Sequence, residues 1–140
     1  MSEKDYSATP LWKKLGIKER SRVAIIGAPA RFRSRLEPLP EGVHVSTRAA
    51  RPIDVVVAFE TRLSGLGKWF ASLARTLGPA GGLWIAYPKR SSPIETDLTF
   101  ANVQSAGLKA GLVDNKSCSI DDDWSAVRFV YRLKDRPRSK

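Results

Sequence analysis

The 140-residue chain has one Cys, one His and one Met. A lone Cys118 cannot close a disulfide within the chain. Cys118 and His44 together cannot complete a Cys/His zinc site. His44 is the only imidazole available to a Ser/His/Asp or Cys/His triad, and Val43 and Val45 flank it, so both kinds of nucleophilic catalysis are discounted. Cys118 falls in a predicted strand with no His near it in sequence and reads as an inert thiol. The chain has no run of 18 apolar residues, so no apolar membrane-crossing helix is expected. Its first residues, Met1-Ser-Glu-Lys-Asp, are charged, so no secretory leader is expected and a reducing cytoplasm is the default location.

Acidic side chains are the minority: 14 Asp and Glu against 24 Lys and Arg, a formal charge of +10. Such a balance invites a nucleic-acid partner. Clustering is the test, and the excess is spread: residues 1–50 carry 10 basic and 5 acidic groups, residues 51–140 carry 14 and 9. Two local clusters remain, Arg31, Arg33 and Arg35, and a tail with Arg132, Lys134, Arg136, Arg138 and Lys140. No RNA-recognition aromatic signature, Gly-rich RNA-binding loop or zinc finger accompanies them. The charge therefore reads first as a solubility feature. Nucleic-acid or anion binding by Arg31, Arg33 and Arg35 is kept as an alternative.

The length suits one domain able to bury about two-thirds of its unfolded surface. Residues 1–20 are expected to form an N-terminal arm with a short docking helix. Residues 21–133 are expected to form a single Rossmann-like domain, and residues 134–140 a basic flexible tail. In the arm, Thr9 is the predicted N-cap, Pro10 the first helical residue and Gly16 the left-handed stop. Ile17 then folds back on Trp12 or Leu11. Leu11, Trp12 and Leu15 are its apolar anchors.

Arg22-Val-Ala-Ile-Ile and Asp54-Val-Val-Val-Ala-Phe are short apolar, β-branched runs of the kind buried on both faces of a parallel sheet. Gly82-Leu-Trp-Ile-Ala-Tyr-Pro is a third strand, and Glu41 to Thr47 a weaker one. Helices are predicted over 29–36, 64–77, where Gly78-Pro79 terminates the second, and 97–110. Lys116–Ile120 and Ser125–Leu133 flank the acidic turn Asp121-Asp122-Asp123, which is too short for a crossover, so these two strands are antiparallel. Val127, Phe129, Tyr131 and Leu133 mark one buried face of the last strand. Strands alternating with helices predict an α/β fold, a three-layer, mostly parallel sheet ending in an antiparallel C-terminal hairpin.

That order of elements resembles a truncated class I S-adenosylmethionine-dependent methyltransferase. The resemblance rests on Asp54-Val-Val-Val-Ala-Phe, the amphipathic helix after it, Leu77-Gly-Pro-Ala-Gly-Gly-Leu-Trp-Ile-Ala, and the closing hairpin. The chain also resembles a small bacterial family of undetermined function. The motifs are Tyr6-Ser-Ala-Thr-Pro-Leu-Trp, Ile26-Gly-Ala-Pro, Gly82-Leu-Trp-Ile-Ala-Tyr-Pro-Lys, Thr96-Asp-Leu-Thr, Gly111-Leu-Val-Asp-Asn and Trp124-Ser-Ala-Val-Arg-Phe. The methyltransferase resemblance implies a Gly-rich turn after the first strand and an acid for the ribose hydroxyls after the second. The chain has Gly27-Ala-Pro-Ala and Thr47-Arg48 in those places. It also has Glu60-Thr61-Arg62 where many amine methyltransferases carry an Asn/Asp-Pro-Pro-aromatic motif. Only residues 48–53 link the second strand to the third. Either the family's third strand and its helix are missing, or the His44 segment pairs antiparallel or is no strand.

Ligands of open α/β sheets bind beyond the carboxyl ends of the strands, where strand order reverses. The expected cofactor cleft is therefore Gly27, Ala28, Pro29, Thr47, Glu60, Pro88 and Lys89. Glu60 and Lys89 are candidates for an acid/base pair or an anion site, against a surface ion pair or two solvated loop residues. Gly27-Ala-Pro offers backbone donors to a phosphate, or is simply a tight turn. Asp121–Asp123 are expected to be a hairpin turn, and no metal site is expected.

The first functional reading is a non-catalytic or degenerate methyltransferase-like module, with no resident cofactor, that binds a small molecule or a protein partner as a monomer or homodimer. The alternatives are a methyltransferase with an atypical S-adenosylmethionine site and a nucleic-acid-binding accessory protein. A membrane partner is not expected.

Overall fold

The structure is a computed structural model that describes residues 9–136. The predicted elements at residues 1–8 and 137–140, including Tyr6 and the end of the basic tail, lie outside the described residues.

Among the described residues, four α-helices, α1 (Leu11–Lys14), α2 (Phe32–Leu36), α3 (Leu63–Ala74) and α4 (Phe100–Lys109), surround one sheet. Its strands are β1 (Arg22–Ile26), β2 (His44–Ser46), β3 (Ile53–Phe59), β4 (Leu77–Pro88), β5 (Leu112–Ser119) and β6 (Trp124–Tyr131), in spatial order β2-β1-β3-β4-β6-β5. The strands β2, β1, β3 and β4 are parallel, and β6 is antiparallel to both of its neighbours. This is the mostly parallel sheet with an antiparallel C-terminal hairpin that the sequence pattern predicts. Strand order reverses between β1 and β3, which makes that crevice the topological switch point.

Each sheet face has its own core. Ala24, Val56, Ala58, Leu83 and Phe129 face α3 and α4, whereas Val23, Val57, Trp84 and Ala126 face α1 and α2. The continuous β-branched runs of β1 and β3 are buried on both sides for this reason. On the α3/α4 side, Phe70 and Phe129 meet edge to face at 4.9 Å. A Cβ at Gly107 of α4 would collide with the Phe129 ring, so the glycine sets how closely that helix packs.

The arm ends as its sequence implies. Gly16 has φ +82°, the Gly16 N–H donates to the Lys13 carbonyl, and the Ile17 N–H donates to the Trp12 carbonyl. Those are the two hydrogen bonds of a Schellman stop. Ile17 and Leu15 are buried, and Trp84 Nε1 donates to the Leu15 carbonyl at 2.9 Å, tying the arm to the sheet. The helix starts one residue late, with Pro10 as N-cap instead of Thr9.

Several boundaries differ from expectation. The α2 helix has five residues and starts only at Phe32. The α3 helix ends at Ala74, and β4 begins at Leu77, so Gly78-Pro79 lies within the strand instead of stopping the helix. Pairing runs Ile53–Leu77 and then Val55–Gly82, which bulges residues 78–81 outward. The β6 strand is buried on both faces through Trp124, Ala126, Val127 and Phe129, and Leu133 lies beyond it, 77% exposed. The closing hairpin extends further back, to Leu112.

The His44 segment pairs parallel with β1 over three residues. No strand or helix lies between Ser46 and Ile53. Six residues span about 20 Å, and a strand of three residues needs no longer return. The short β2 and the short link are thus one feature. Ala49 of the link packs on the α3/α4 core.

Candidate functional site

The loop after β1 opens the switch-point crevice. Gly27 has φ +67°, and a Cβ there would lie 3.4 Å from the Phe59 carbonyl of β3. A left-handed backbone and a close approach to the neighbouring strand both favour glycine. Beyond this turn lies a cleft of about 490 Å³, a size suited to a small organic ligand. Three sources line it: Pro29 to Phe32 with Arg35 from the β1–α2 segment, Phe59 from the end of β3, and Asp121 to Trp124 from the hairpin turn.

The floor is aromatic. Phe32 and Phe59 meet at 4.8 Å and Phe59 and Trp124 at 5.0 Å, both edge to face. The walls carry opposite charges: Arg31 and Arg35 stand one helical turn apart, and Asp121, Asp122 and Asp123 line the other side. Asp121 is committed to the turn, since its Oδ1 accepts the N–H groups of Asp123 at 2.8 Å and Trp124 at 2.9 Å. No group of three or more His, Cys, Asp or Glu placed to hold a metal ion is found among the described residues.

The other predicted site residues are dispersed. Pro88 and Lys89 line a second cleft of about 610 Å³, with Tyr87, Thr96, Phe100 and Ser125. Burial pushes the Tyr87 phenol above its ordinary value. Thr47 is exposed at the end of β2 and lines neither cleft. Gly27 and Ala28 shape the first cleft without lining it, and Ala28 packs on the α1/α2 core. Arg33 is exposed on α2, outside the cleft that Arg31 and Arg35 line. The helix after Gly27-Ala-Pro begins only at Phe32 and has five residues.

Glu60 and Lys89 do not form the expected pair. Glu60 Oε2 accepts the N–H groups of Thr61 and Arg62, each at 2.9 Å, and Oε1 accepts Trp69 Nε1 at 2.7 Å. A Cβ at Gly65 would collide with Oε1, so α3 lies directly on this carboxylate. Asp97 Oδ1 takes the next amide, that of Leu63, at 2.7 Å. Two carboxylates thus take the N–H groups of the N-cap Arg62 and of Leu63 at the start of α3, with that of Thr61 just before it, where the helix dipole favours negative charge. Lys89 Nζ instead donates to Ser119 Oγ at 2.6 Å.

Cys118 is half-buried, and burial pushes its thiol up, with Lys14 and Lys116 opposing. It has the character of an unreactive thiol.

The sequence reading missed Phe32, Phe59 and Trp124 as a floor, because their contact joins three elements far apart in the chain. It also assigned Asp122 and Asp123 to the hairpin turn alone. Trp124 directly after three acids was the available signal.

The fold is shared with solved S-adenosylmethionine-dependent methyltransferases at low sequence identity. The chain resembles an S-adenosylmethionine-dependent methyltransferase from Aquifex aeolicus at 14% identity and TM-score 0.58, over 91% of this chain and 96% of that one. It resembles a ribosomal protein L11 methylase from Lactobacillus delbrueckii subsp. bulgaricus at 10% and 0.59, over 87% and 75%. A possible exported protein from Bordetella parapertussis matches at 11% and 0.60, over 93% and 68%. No protein-family model and no curated protein matches the chain. Among the described residues, no helix is long and apolar enough to cross a membrane.

Proposed function

We propose that this chain is a methyltransferase-like domain that binds S-adenosylmethionine, or a compound sharing its adenosyl and amino-acid parts, in the cleft between Arg31 and Asp123. The carrying observation is the composition of that cleft at the switch point: an aromatic floor between a wall of two guanidiniums and a wall of carboxylates. The guanidiniums suit the ligand's carboxylate. Asp122 and Asp123 suit its ammonium or the ribose hydroxyls, a role for which Thr47-Arg48 offers no acid. A sulfonium is attracted to aromatic faces as other cations are. Near-complete mutual coverage with the Aquifex structure supports the reading. When bound, S-adenosylmethionine supplies a transferable methyl group. The residues here account for binding and orienting it.

A non-catalytic module is the second reading, and Glu60 favours it. The carboxylate in the place where amine methyltransferases position their substrate is already used by three donors. Membership of the small bacterial family of undetermined function belongs to the same proposal. So does the division into arm, Rossmann-like unit and basic tail.

Thermal denaturation with S-adenosylmethionine, its demethylated product, NADP and nucleotides tests the binding. At a hundredfold excess over Kd, a ligand adds about 2.7 kcal/mol, a rise in Tm of several degrees. Adenosyl compounds are expected to give it, and Asp122→Asn with Asp123→Asn to abolish it. Failure of every adenosyl compound to stabilise the protein would reject this reading and leave a protein partner as the best account.

A further inference from the structure

One hollow away from the strand carboxyl ends gathers four cations against a single carboxylate. It lies near the amino ends of β3 and β4, on the α1 side of the sheet, and encloses about 360 Å³. Lys14 and Lys18 line it from the arm, Lys116 and Arg128 from the hairpin, and Trp84 is its buried floor. The pairing register sets Lys116 directly opposite Arg128. Direct cross-strand partners share a sheet face, and like charges there repel. Asp54 also lines the hollow, but its Oδ2 accepts the Arg22 N–H at 2.8 Å.

The fold makes room for this arrangement. A Cβ at Gly82 on the adjacent strand would collide with Arg128 Nε, so a glycine lets the guanidinium lie across the sheet. Burial works against the Arg128 cation and pushes its proton affinity down. Among the described residues, its fork of five donors makes one long hydrogen bond, Nη1 to Asn115 Oδ1 at 3.4 Å. Lys14 Nζ donates to the Ser119 carbonyl, which holds a third cation nearby. Four basic groups, a cross-strand like-charge pair and a half-buried guanidinium with spare donors are unfavourable in the free protein. An anion bridging the pair turns that repulsion into attraction.

We propose that this hollow is a phosphate-binding site, in which a phosphate or pyrophosphate group bridges Arg128 and Lys116 with Lys14 and Lys18 at its rim. Planar two-point recognition of phosphate is what an arginine fork does best. The site is separate from the adenosyl cleft and does not depend on it.

Two probes separate the sources of such a group: inorganic pyrophosphate followed by titration calorimetry, and a labelled single-stranded oligouridylate followed by anisotropy. The double variant Lys116→Gln/Arg128→Gln is compared with Lys68→Gln/Lys109→Gln, which removes the same charge from exposed sites elsewhere. The first is expected to weaken binding at least tenfold, the loss expected for a charge-assisted hydrogen bond. The second is expected to change it by less than about twofold. Lys116→Gln alone alters an exposed residue and guards against misfolding; it is expected to show most of a tenfold loss with unchanged Tm. Binding of pyrophosphate alone assigns a free phosphate compound. Binding of the oligonucleotide, with a salt slope flatter by about 0.7 for each cation removed, assigns a nucleic-acid backbone. Binding of neither probe, or equal weakening by both double variants, overturns the proposal.

Discussion

The two halves of the sheet are built to different standards. From β3 outward to β5, strands of 7, 12, 8 and 8 residues are backed on one face by helices of 12 and 10 residues. There Gly107 seats α4 on Phe129, and Thr99 with Asn102 forms a reciprocal capping box at its start. From β1 to β2 the strands have 5 and 3 residues, the helix between them has 5, and a bare six-residue link returns the chain to β3. The first half carries most of the buried core on the α3/α4 face. The second half borders the switch point and supplies Pro29, Arg31 and Arg35 to the cleft. Stability is therefore unevenly distributed, and the reduced half supplies the Arg31 and Arg35 side of the candidate cleft.

Truncations test that division. The largest effect is expected from Phe129→Ala, about 3–5 kcal/mol, read as the shift in denaturation midpoint; a loss below 1 kcal/mol would remove the claim that the β3–β5 half anchors the fold. Val127→Ala, buried in the same half, is expected to lose about 2 kcal/mol from two methylene equivalents plus a cavity.

Glu60 stands at the junction, and Glu60→Ala should cost about 2 kcal/mol, since three donors lose their acceptor and partial exposure lets water replace some of them. Unchanged stability, with adenosyl binding lost instead, would transfer Glu60 from the scaffold to the ligand. Thr99→Ala is expected to cost about 1 kcal/mol through the lost cap, measurable as a small drop in Tm.

Val45→Ala in β2 should cost less than about 1 kcal/mol, because the side chain is only half-buried. Amide exchange of residues 44–46 should also be the fastest in the sheet. A Val45→Ala loss equal to that of Val127→Ala would break the comparison outright.

Much of this architecture was legible because the relevant signals are local. The β-branched runs at Val23–Ile26 and Val55–Ala58, the Gly16 stop and the acidic turn at Asp121 each need only a few neighbours to be read. The start of α3 was not, because no residue of its own caps it; the carboxylates of Glu60 and Asp97 do so from outside the helix. The early start of β4 was hidden by Gly78–Gly81, which reads as a helix stop but forms a bulge. The link after β2 was visible as too short for a full crossover, but its consequence, a three-residue parallel strand, needed the structure. The cleft was half legible. Chain order indicated the strand ends, yet the residues that meet there, Phe32, Phe59 and Trp124, are joined only by folding. Its position after a buried strand marks Glu60 as a site candidate, and its three hydrogen bonds give it a different task.

The contact between Phe59 and Trp124 also has an optical consequence. Trp12, Trp69 and Trp84 lie outside the cleft, whereas Trp124 forms part of its floor. An adenine ring or a sulfonium settling there would quench or shift the emission of that indole and leave the other three as an internal reference. The domain thus carries its own fluorescent reporter, and Trp12→Phe, Trp69→Phe and Trp84→Phe substitutions would isolate its signal.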